Sequence, residues 1–188
     1  LGINTICTHI GEVEDKQFKG AISPLYMSSS YAYEDVDVKR YPRYFNTPNQ
    51  EALCKKIAML EKSDAALIFG SGMAAVSTAM LAFLHKGDHV VLPQTLYGGT
   101  YNFVVEEFHK FGIEYSFTEG FSEADFSEKI QKNTKVIFVE TPSNPLMRIT
   151  DLEMISKLAK QHGIITMIDN TFASPVNQTP ADFGIDIM

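Results

Sequence analysis

The sequence predicts an α/β fold: three layers, αβα, around a mostly parallel sheet. Three observations carry this expectation. Short apolar runs alternate with segments of helical periodicity from residue 47 onward. Runs such as Val136–Glu140 and Ile164–Asp169 are apolar nearly throughout, as in strands buried on both faces. Strands that alternate with helices connect by right-handed βαβ crossovers, which makes neighbouring strands parallel.

The elements follow in order. Residues 1–46 carry weak periodicity, and Ser, Tyr and Pro are frequent from Ile22 to Pro42. They are expected to form an extended, loop-rich arm that packs on its own domain or on a neighbouring subunit. A single domain is expected over 47–188, with no internal repeat and no linker. Thr47 can N-cap a helix, Pro48 suits its first position, and Gln50 completes a capping box. Leu53, Ile57 and Leu60 then mark one helical face. Ala65–Phe69 reads as a buried strand, and Gly70-Ser71-Gly72 turns it into a helix from Met73 to about Leu84. A turn at Lys86-Gly87-Asp88 leads to a strand over His89–Leu92. A helix is expected over Tyr101–Lys110 and a strand over Glu114–Phe117. Ser122 caps a helix ending near Ile130, and Val136–Glu140 is a strand. Thr150 with Glu153 reads as another capping box, opening a helix that Gly163 stops. Ile164–Asp169 is a strand, and Ile185–Met188 begins one more.

Composition narrows the function classes. The chain has 188 residues, of which 45% are hydrophobic and 21% charged, so disorder and low-complexity sequence are excluded. With 16 basic and 23 acidic residues the net charge is -7, which disfavours nucleic acid as a partner. No apolar run approaches the roughly 20 residues of a membrane span, so no membrane partner is expected. No signal peptide is visible in Leu1–Gly11. The two cysteines, Cys7 and Cys54, form no CxxC, so the expected setting is a reducing cytoplasm. The five histidines show no metal-ligand spacing, and there is no GxSxG for a hydrolase. The chain begins at Leu1 and stops at Met188 within the apolar stretch 183–188, which is expected to be a truncation.

Ligands of open α/β sheets bind beyond the carboxyl ends of the strands, and four loops there carry chemistry. Gly70-Ser71-Gly72-Met73-Ala74-Ala75 fits G-x-G-x-x-A, with glycines that admit a phosphate to a helix N-terminus. A nicotinamide cofactor would also want an acid after the next strand, where the sequence has Pro93-Gln94. An anion at the helix N-terminus therefore stands and a dinucleotide does not; a tight turn without a ligand is the alternative. Asp169 closes an apolar strand, where a carboxylate needs a partner such as a protonated ring nitrogen; capping its own loop is the alternative. Tyr97 precedes Gly98-Gly99, which leaves it room to stack on an aromatic ligand. Arg43, in Tyr41-Pro42-Arg43, is a phosphate-binding type of residue on the arm.

These pieces together resemble one family. Tyr41-x-Arg43-x-x-Asn46, Ser71-Gly72-Met73, Tyr97-Gly98-Gly99-Thr100, Glu140-Thr141-Pro142-Ser143-Asn144-Pro145 and Asp169-Asn170-Thr171-Phe172 are similar, in order and spacing, to motifs of the transsulfuration enzymes of cysteine and methionine metabolism. The match covers nearly the whole chain. That group includes cystathionine γ-synthase, cystathionine γ- and β-lyases, methionine γ-lyase and O-acetylhomoserine sulfhydrylase. The resemblance implies pyridoxal 5'-phosphate as cofactor and the aspartate-aminotransferase-like large domain (fold type I of these enzymes), here incomplete. It implies that Asp169 pairs with the ring nitrogen and that Ser71, Gly72 and Met73 hold the phosphate. Tyr97 would stack on the ring and act in acid–base steps, Asn144 would lie near the ring hydroxyl and substrate carboxylate, and Glu140 and Thr171 would lie beside the cofactor. Tyr41 and Arg43 would reach the cofactor phosphate of a neighbouring protomer, Tyr41 with a catalytic share, in a homodimer or homotetramer. The implied reaction is β- or γ-elimination, or γ-replacement, on a sulfur amino acid or activated homoserine.

Two departures stand out. The family usually has Asn-Pro-Thr where this chain has Asn46-Thr47-Pro48, which still starts a helix. The family's Schiff-base lysine falls about six residues past Met188 by alignment, and its C-terminal domain, with the arginine that grips the substrate carboxylate, is also expected to be absent. On this reading 47–188 is a cofactor domain cut before the lysine, inactive alone. Methionine γ-lyases often carry Cys where this chain has Gly99, which leans against them. The alternatives are another enzyme of the same fold and cofactor, such as an aminotransferase, and a non-catalytic fragment.

Overall fold

Four short runs pair as parallel strands in the computed structural model, which describes residues 1–188, with one register shift between His89 and Val90 against the third. They are β1 (His89–Pro93), β2 (Glu114–Thr118), β3 (Thr134–Glu140) and β4 (Ile165–Asp169), in the order β2-β1-β3-β4. All three pairings are parallel. Every residue of β1 is buried, as expected of a central strand with helices on both faces.

Alternate residues of each strand feed two cores. Val90, Leu92, Val136, Phe138 and Met167 point to one side, against Met80, Val104 and Phe108. Val91, Ile137, Val139 and Ile168 point to the other, against Phe126, Ile155 and Leu158. The helices that supply these partners are α3 (Gly72–Phe83) and α4 (Gly98–Phe111) on the first face, and α5 (Glu123–Lys129) and α6 (Leu152–His162) on the second. The three αβα layers expected from the alternation are therefore present. Phe108 and Phe126 are 0% exposed, so each layer is anchored by a fully buried ring.

Local sequence sets the ends. The Ser122 side chain accepts from the Asp125 amide and the Asp125 side chain accepts from the Ser122 amide, a complete capping box for α5. Gly112 and Gly163 end α4 and α6 in the left-handed conformation, at φ 67° and 64°, where a Cβ would be strained. The α6 cap differs from expectation. Asp151, not Thr150, accepts from the Met154 amide. Thr150 is instead buried in the preceding loop, where its amide donates to Thr141 Oγ1 at 3.0 Å.

Two expected strands do not form. Ala65–Phe69 enters no ladder, and Leu67 is 65% exposed. Apolar character alone does not make a strand; the backbone groups need a partner edge. Ile185–Met188 contributes a single parallel bridge, Ile187 to Met167. Between β4 and that bridge lie a short helix α7 (Ser174–Asn177) and a 3-10 turn (Pro180–Phe183) that periodicity did not indicate.

The chain divides into two compact units, Leu1–Ile68 and Phe69–Met188, and the sheet lies wholly in the second. The first holds α1 (Ile3–His9) and α2 (Pro48–Glu61), so residues 1–46 are not extended throughout. Thr47 and Gln50 form the expected capping box of α2. This unit has no buried apolar core. No residue of α2 is buried, and Leu53 and Ile57 are 45% and 37% exposed. Polar contacts hold the arm to α2 instead. Glu12 pairs with Lys56 at 2.8 Å and accepts from the Ser23 amide and hydroxyl. These bonds, Lys56 first, lower the Glu12 pKa to about 2. Asn49 exchanges two bonds with the backbone of Tyr26.

Candidate active site

Beyond the carboxyl ends of the strands of the second unit lies a cavity of about 550 Å³, a size typical of cofactor sites. It is lined by Ser71, Gly72, Met73, Val76, Tyr97, Glu140, Pro142, Asn144, Asp169, Thr171 and Phe172. Eight of the ten residues singled out from the sequence are thus brought together. Val76, Pro142 and Phe172 complete the wall. Of these, Val76 is one turn into α3 from Gly72 and was foreshadowed only by helical spacing.

The sheet places the two acids. Glu140 and Asp169 end β3 and β4 and are paired in register. Asp169 is half-buried, and its Oδ1 accepts from the Thr171 amide at 3.0 Å and the Thr171 hydroxyl at 2.5 Å. Oδ2 has no protein partner and can serve a ligand N–H. Glu140 is buried, at 5% exposure. Its Oε2 accepts from the Tyr97 amide and its Oε1 from the Asn144 amide, both at 2.7 Å. Burial raises the Glu140 pKa above the ordinary carboxylate value; the two amides oppose this, and Asp169 adds to it.

The start of α3 forms an anion-binding end. Ser71 is the N-cap, and its side chain accepts from the Ala74 amide at 3.1 Å. The amides of Gly72 and Met73 have no acceptor, so two free N–H groups sit at the positive end of a twelve-residue helix. Tyr97 opens α4 with its ring 47% exposed. That ring lies over Gly99, where an added Cβ would come within 2.6 Å of Cε1. The side chain of Asn144 makes no hydrogen bond within the protein, so its carboxamide is free for a ligand. The donor set thus suits a ligand with an anionic group at one end, a flat ring, and a cationic nitrogen facing Asp169.

Tyr41 and Arg43 are the two expected residues that do not line this cavity; they lie in the first unit. Both are exposed, and Arg43 has no ion-pair or hydrogen-bond partner. The Tyr41 ring packs edge-on against Tyr44 at 5.3 Å. Asn46, the last residue of the Tyr41-x-Arg43-x-x-Asn46 motif, closes their loop. It accepts from the Tyr41 amide at 3.0 Å and donates to the Lys39 carbonyl at 2.8 Å. Sequence reading had given it no task.

A family model described as Cys/Met metabolism PLP-dependent enzyme matches residues 4–188. The chain is 42% identical over 173 residues to a cystathionine beta-lyase of Bacillus subtilis, covering 90% of this chain and 44% of that protein. It is 38% identical over 187 residues to a cystathionine gamma-lyase of the same organism, covering 98% of this chain and 49% of that one. The crystal structure of cystathionine gamma-lyase from Lactobacillus plantarum complexed with L-serine superposes with a TM-score of 0.93 at 35% identity, over 100% of this chain and 49% of that chain. The chain spans about half the length of the curated relatives it matches. Cavity, sheet and sequence therefore converge, and the chain belongs to the Cys/Met metabolism PLP-dependent enzyme family.

Proposed function

We propose that the cavity binds pyridoxal 5'-phosphate and that the protein acts on sulfur amino acids or activated homoserine, by β- or γ-elimination or by γ-replacement. The observation that carries this reading is the convergence of eight expected residues on one cavity with complementary donors and acceptors. The amides of Gly72 and Met73, with Ser71 beside them, hold the phosphate. Asp169 Oδ2 accepts the ring N–H, while Thr171 fixes Oδ1 and so fixes the carboxylate plane. Tyr97 covers one face of the ring and offers its hydroxyl to a proton at the leaving group. Asn144 donates to the ring hydroxyl and the substrate carboxylate. When bound, the cofactor supplies an electron sink for charge developed at the substrate α-carbon. A carboxylate at the ring nitrogen maintains the protonated form that this requires.

Residues 1–46 serve on this reading as an arm that carries Tyr41 and Arg43 to the site of a neighbouring protomer, in a homodimer or homotetramer, with 47–188 as cofactor domain. The exposed, unpaired Arg43 and the Asn46-closed loop support that role. No helix is long and apolar enough to cross a membrane, and we place the protein in the cytoplasm.

The test begins with spectroscopy. Pyridoxal phosphate added to the purified encoded protein is expected to give a bound-cofactor band with induced circular dichroism. Cystathionine is then expected to yield a keto acid and a free thiol. A wild-type protein that takes up no cofactor overturns the proposal. One that binds it but only exchanges amino and keto groups is an aminotransferase.

A further inference from the structure

Glu140 has a different standing from the other acid of the cavity. Both of its oxygens are engaged by main-chain amides at 2.7 Å, and the side chain is almost wholly buried. A carboxylate is held in such a place by charge-assisted bonds to its charged form. The two amides belong to different loops, one after β1 and one after β3, with Tyr97 forty-three residues from Glu140. Each loop presents one polar side chain to the cavity, the Tyr97 phenol and the Asn144 carboxamide, with Pro142 beside the latter. Neither side chain is anchored by a hydrogen bond of its own within the protein, so their placement follows the backbone that Glu140 holds. Tyr97 is also the first residue before α4 and has no side-chain cap bond. The loop after β4 does not bond to Glu140; it is tied to itself and to the first residue after β3. Gln178 donates to the Thr141 carbonyl and to Asn170 Oδ1, and Asn170 donates back to the Gln178 carbonyl.

We infer that Glu140 is a positioning residue, whose one carboxylate locks the Tyr97 and Asn144 loops together and acts on the ligand through them. This inference rests on the pyridoxal phosphate reading only for its second arm. The carboxamide in Glu140→Gln keeps one acceptor oxygen and turns an NH2 toward the other amide, donor against donor, so one loop is released.

The first arm reads amide hydrogen exchange in the cofactor-free protein. Glu140→Gln is expected to raise exchange in at least one of 94–100 and 141–149 by roughly tenfold or more, and to leave the helices 123–129 and 152–162 as in wild type. The second arm is a double-mutant cycle on pyridoxal phosphate affinity, with Asn144→Ala or Tyr97→Ala according to which loop the exchange shows released. The losses are expected to be clearly less than additive, because the first change already misplaces the group that the second removes. Unchanged exchange in both loops overturns the inference. Additive losses in the cycle of the released loop also overturn it, since Glu140 would then act on the ligand independently of that loop. A wild type that binds no cofactor defeats the functional proposal alone, and the exchange arm still decides. If Glu140→Gln does not fold, Glu140→Asp keeps the charge on a shorter reach and is measured the same way. Failure of both to fold, or exchange raised throughout the sheet, makes Glu140 a global structural residue and overturns the local role.

Discussion

Replacing Gly99 by Ala separates two effects of opposite sign. Gly99 is the second residue of α4 and has ordinary helical backbone, so Ala is favoured there by at most about 1 kcal/mol, the helix-interior value. Against this, the new Cβ would lie 2.6 Å from Tyr97 Cε1 and 3.0 Å from Met73 Sδ. Carbon atoms rest at about 3.5–4.0 Å, so the ring edge must retreat by roughly 1 Å. The ring is 47% exposed and has room to rotate. The helix gain therefore survives, and stability in urea is expected to hold or rise slightly. The ligand meets the other side of this exchange. A tilted ring loses an aromatic contact of about 0.5–1.5 kcal/mol, or about 2- to 10-fold in affinity for pyridoxal phosphate. Titration followed by circular dichroism, beside urea unfolding, measures both. Wild-type affinity in Gly99→Ala, together with weakened affinity in Tyr97→Ala, refutes the crowding account. A stability loss above about 2 kcal/mol refutes it too, because the backbone rather than the ring would then have yielded.

Two further outcomes follow. His89 is fully buried, with Nδ1 on Thr134 Oγ1 at 2.8 Å and Nε2 on Ser116 Oγ at 2.9 Å. Burial holds its pKa below 6.5, with Glu114 pulling the other way. Below pH 6.5 the unfolded chain therefore takes up a proton that the folded one refuses. Stability is expected to fall from pH 6.5 toward 5.5, by at most about 1.4 kcal/mol per unit. His89→Gln should flatten that slope in urea titrations, and parallel curves for the two proteins would show that His89 is not its source. Second, the arm can be tested by mixing Arg43→Ala with Asp169→Asn protein. If Arg43 serves a neighbour, half of the randomly mixed dimers have one intact site, and about a quarter of wild-type activity returns. No recovery after verified subunit exchange places Arg43 in its own chain's site or outside any.

What could be read from the sequence was what local pattern encodes. Val136–Glu140 and Ile164–Asp169 announce strands because burial on both faces demands apolar residues at every step. Thr47, Ser122 and Gly163 announce helix ends because caps are chemistry within four residues. The cavity was legible because a parallel sheet delivers its loops to one end, so Gly72, Tyr97, Asn144 and Asp169 had to meet there. What escaped depends on partners distant in sequence. Ala65–Phe69 has a strand's composition and no ladder, and only pairing could have decided it. The side chain that caps α6 moved from Thr150 to Asp151 because the loop after β3 uses Thr150 for its own closure. Asn46 and Glu140 stand in the motifs, but the backbone groups they bind carry no residue identity, so their work as loop anchors could not be read there.

The pairing of Glu140 with Asp169 shows how the fold assigns two acids different work. Ending adjacent parallel strands in register, they stand as like charges at close range, and Asp169 adds to the burial that raises the Glu140 pKa. The sequence resolves the conflict by unequal supply of donors. Glu140 receives two amides from two loops, one on each oxygen. Asp169 receives both of its donors from Thr171 on a single oxygen. One carboxylate is therefore consumed in holding the walls, while the other keeps an oxygen for whatever enters. A cationic ring nitrogen at Asp169 would also relieve the repulsion, so ligand binding and wall integrity are coupled through two neighbouring strand ends. Asp169→Asn removes that charge and should lower the Glu140 pKa, readable as a lower pH midpoint for the appearance of its protonated carboxyl band in difference infrared spectra. An unmoved midpoint would mean that the two acids do not sense each other and that the loops are held independently of the ligand.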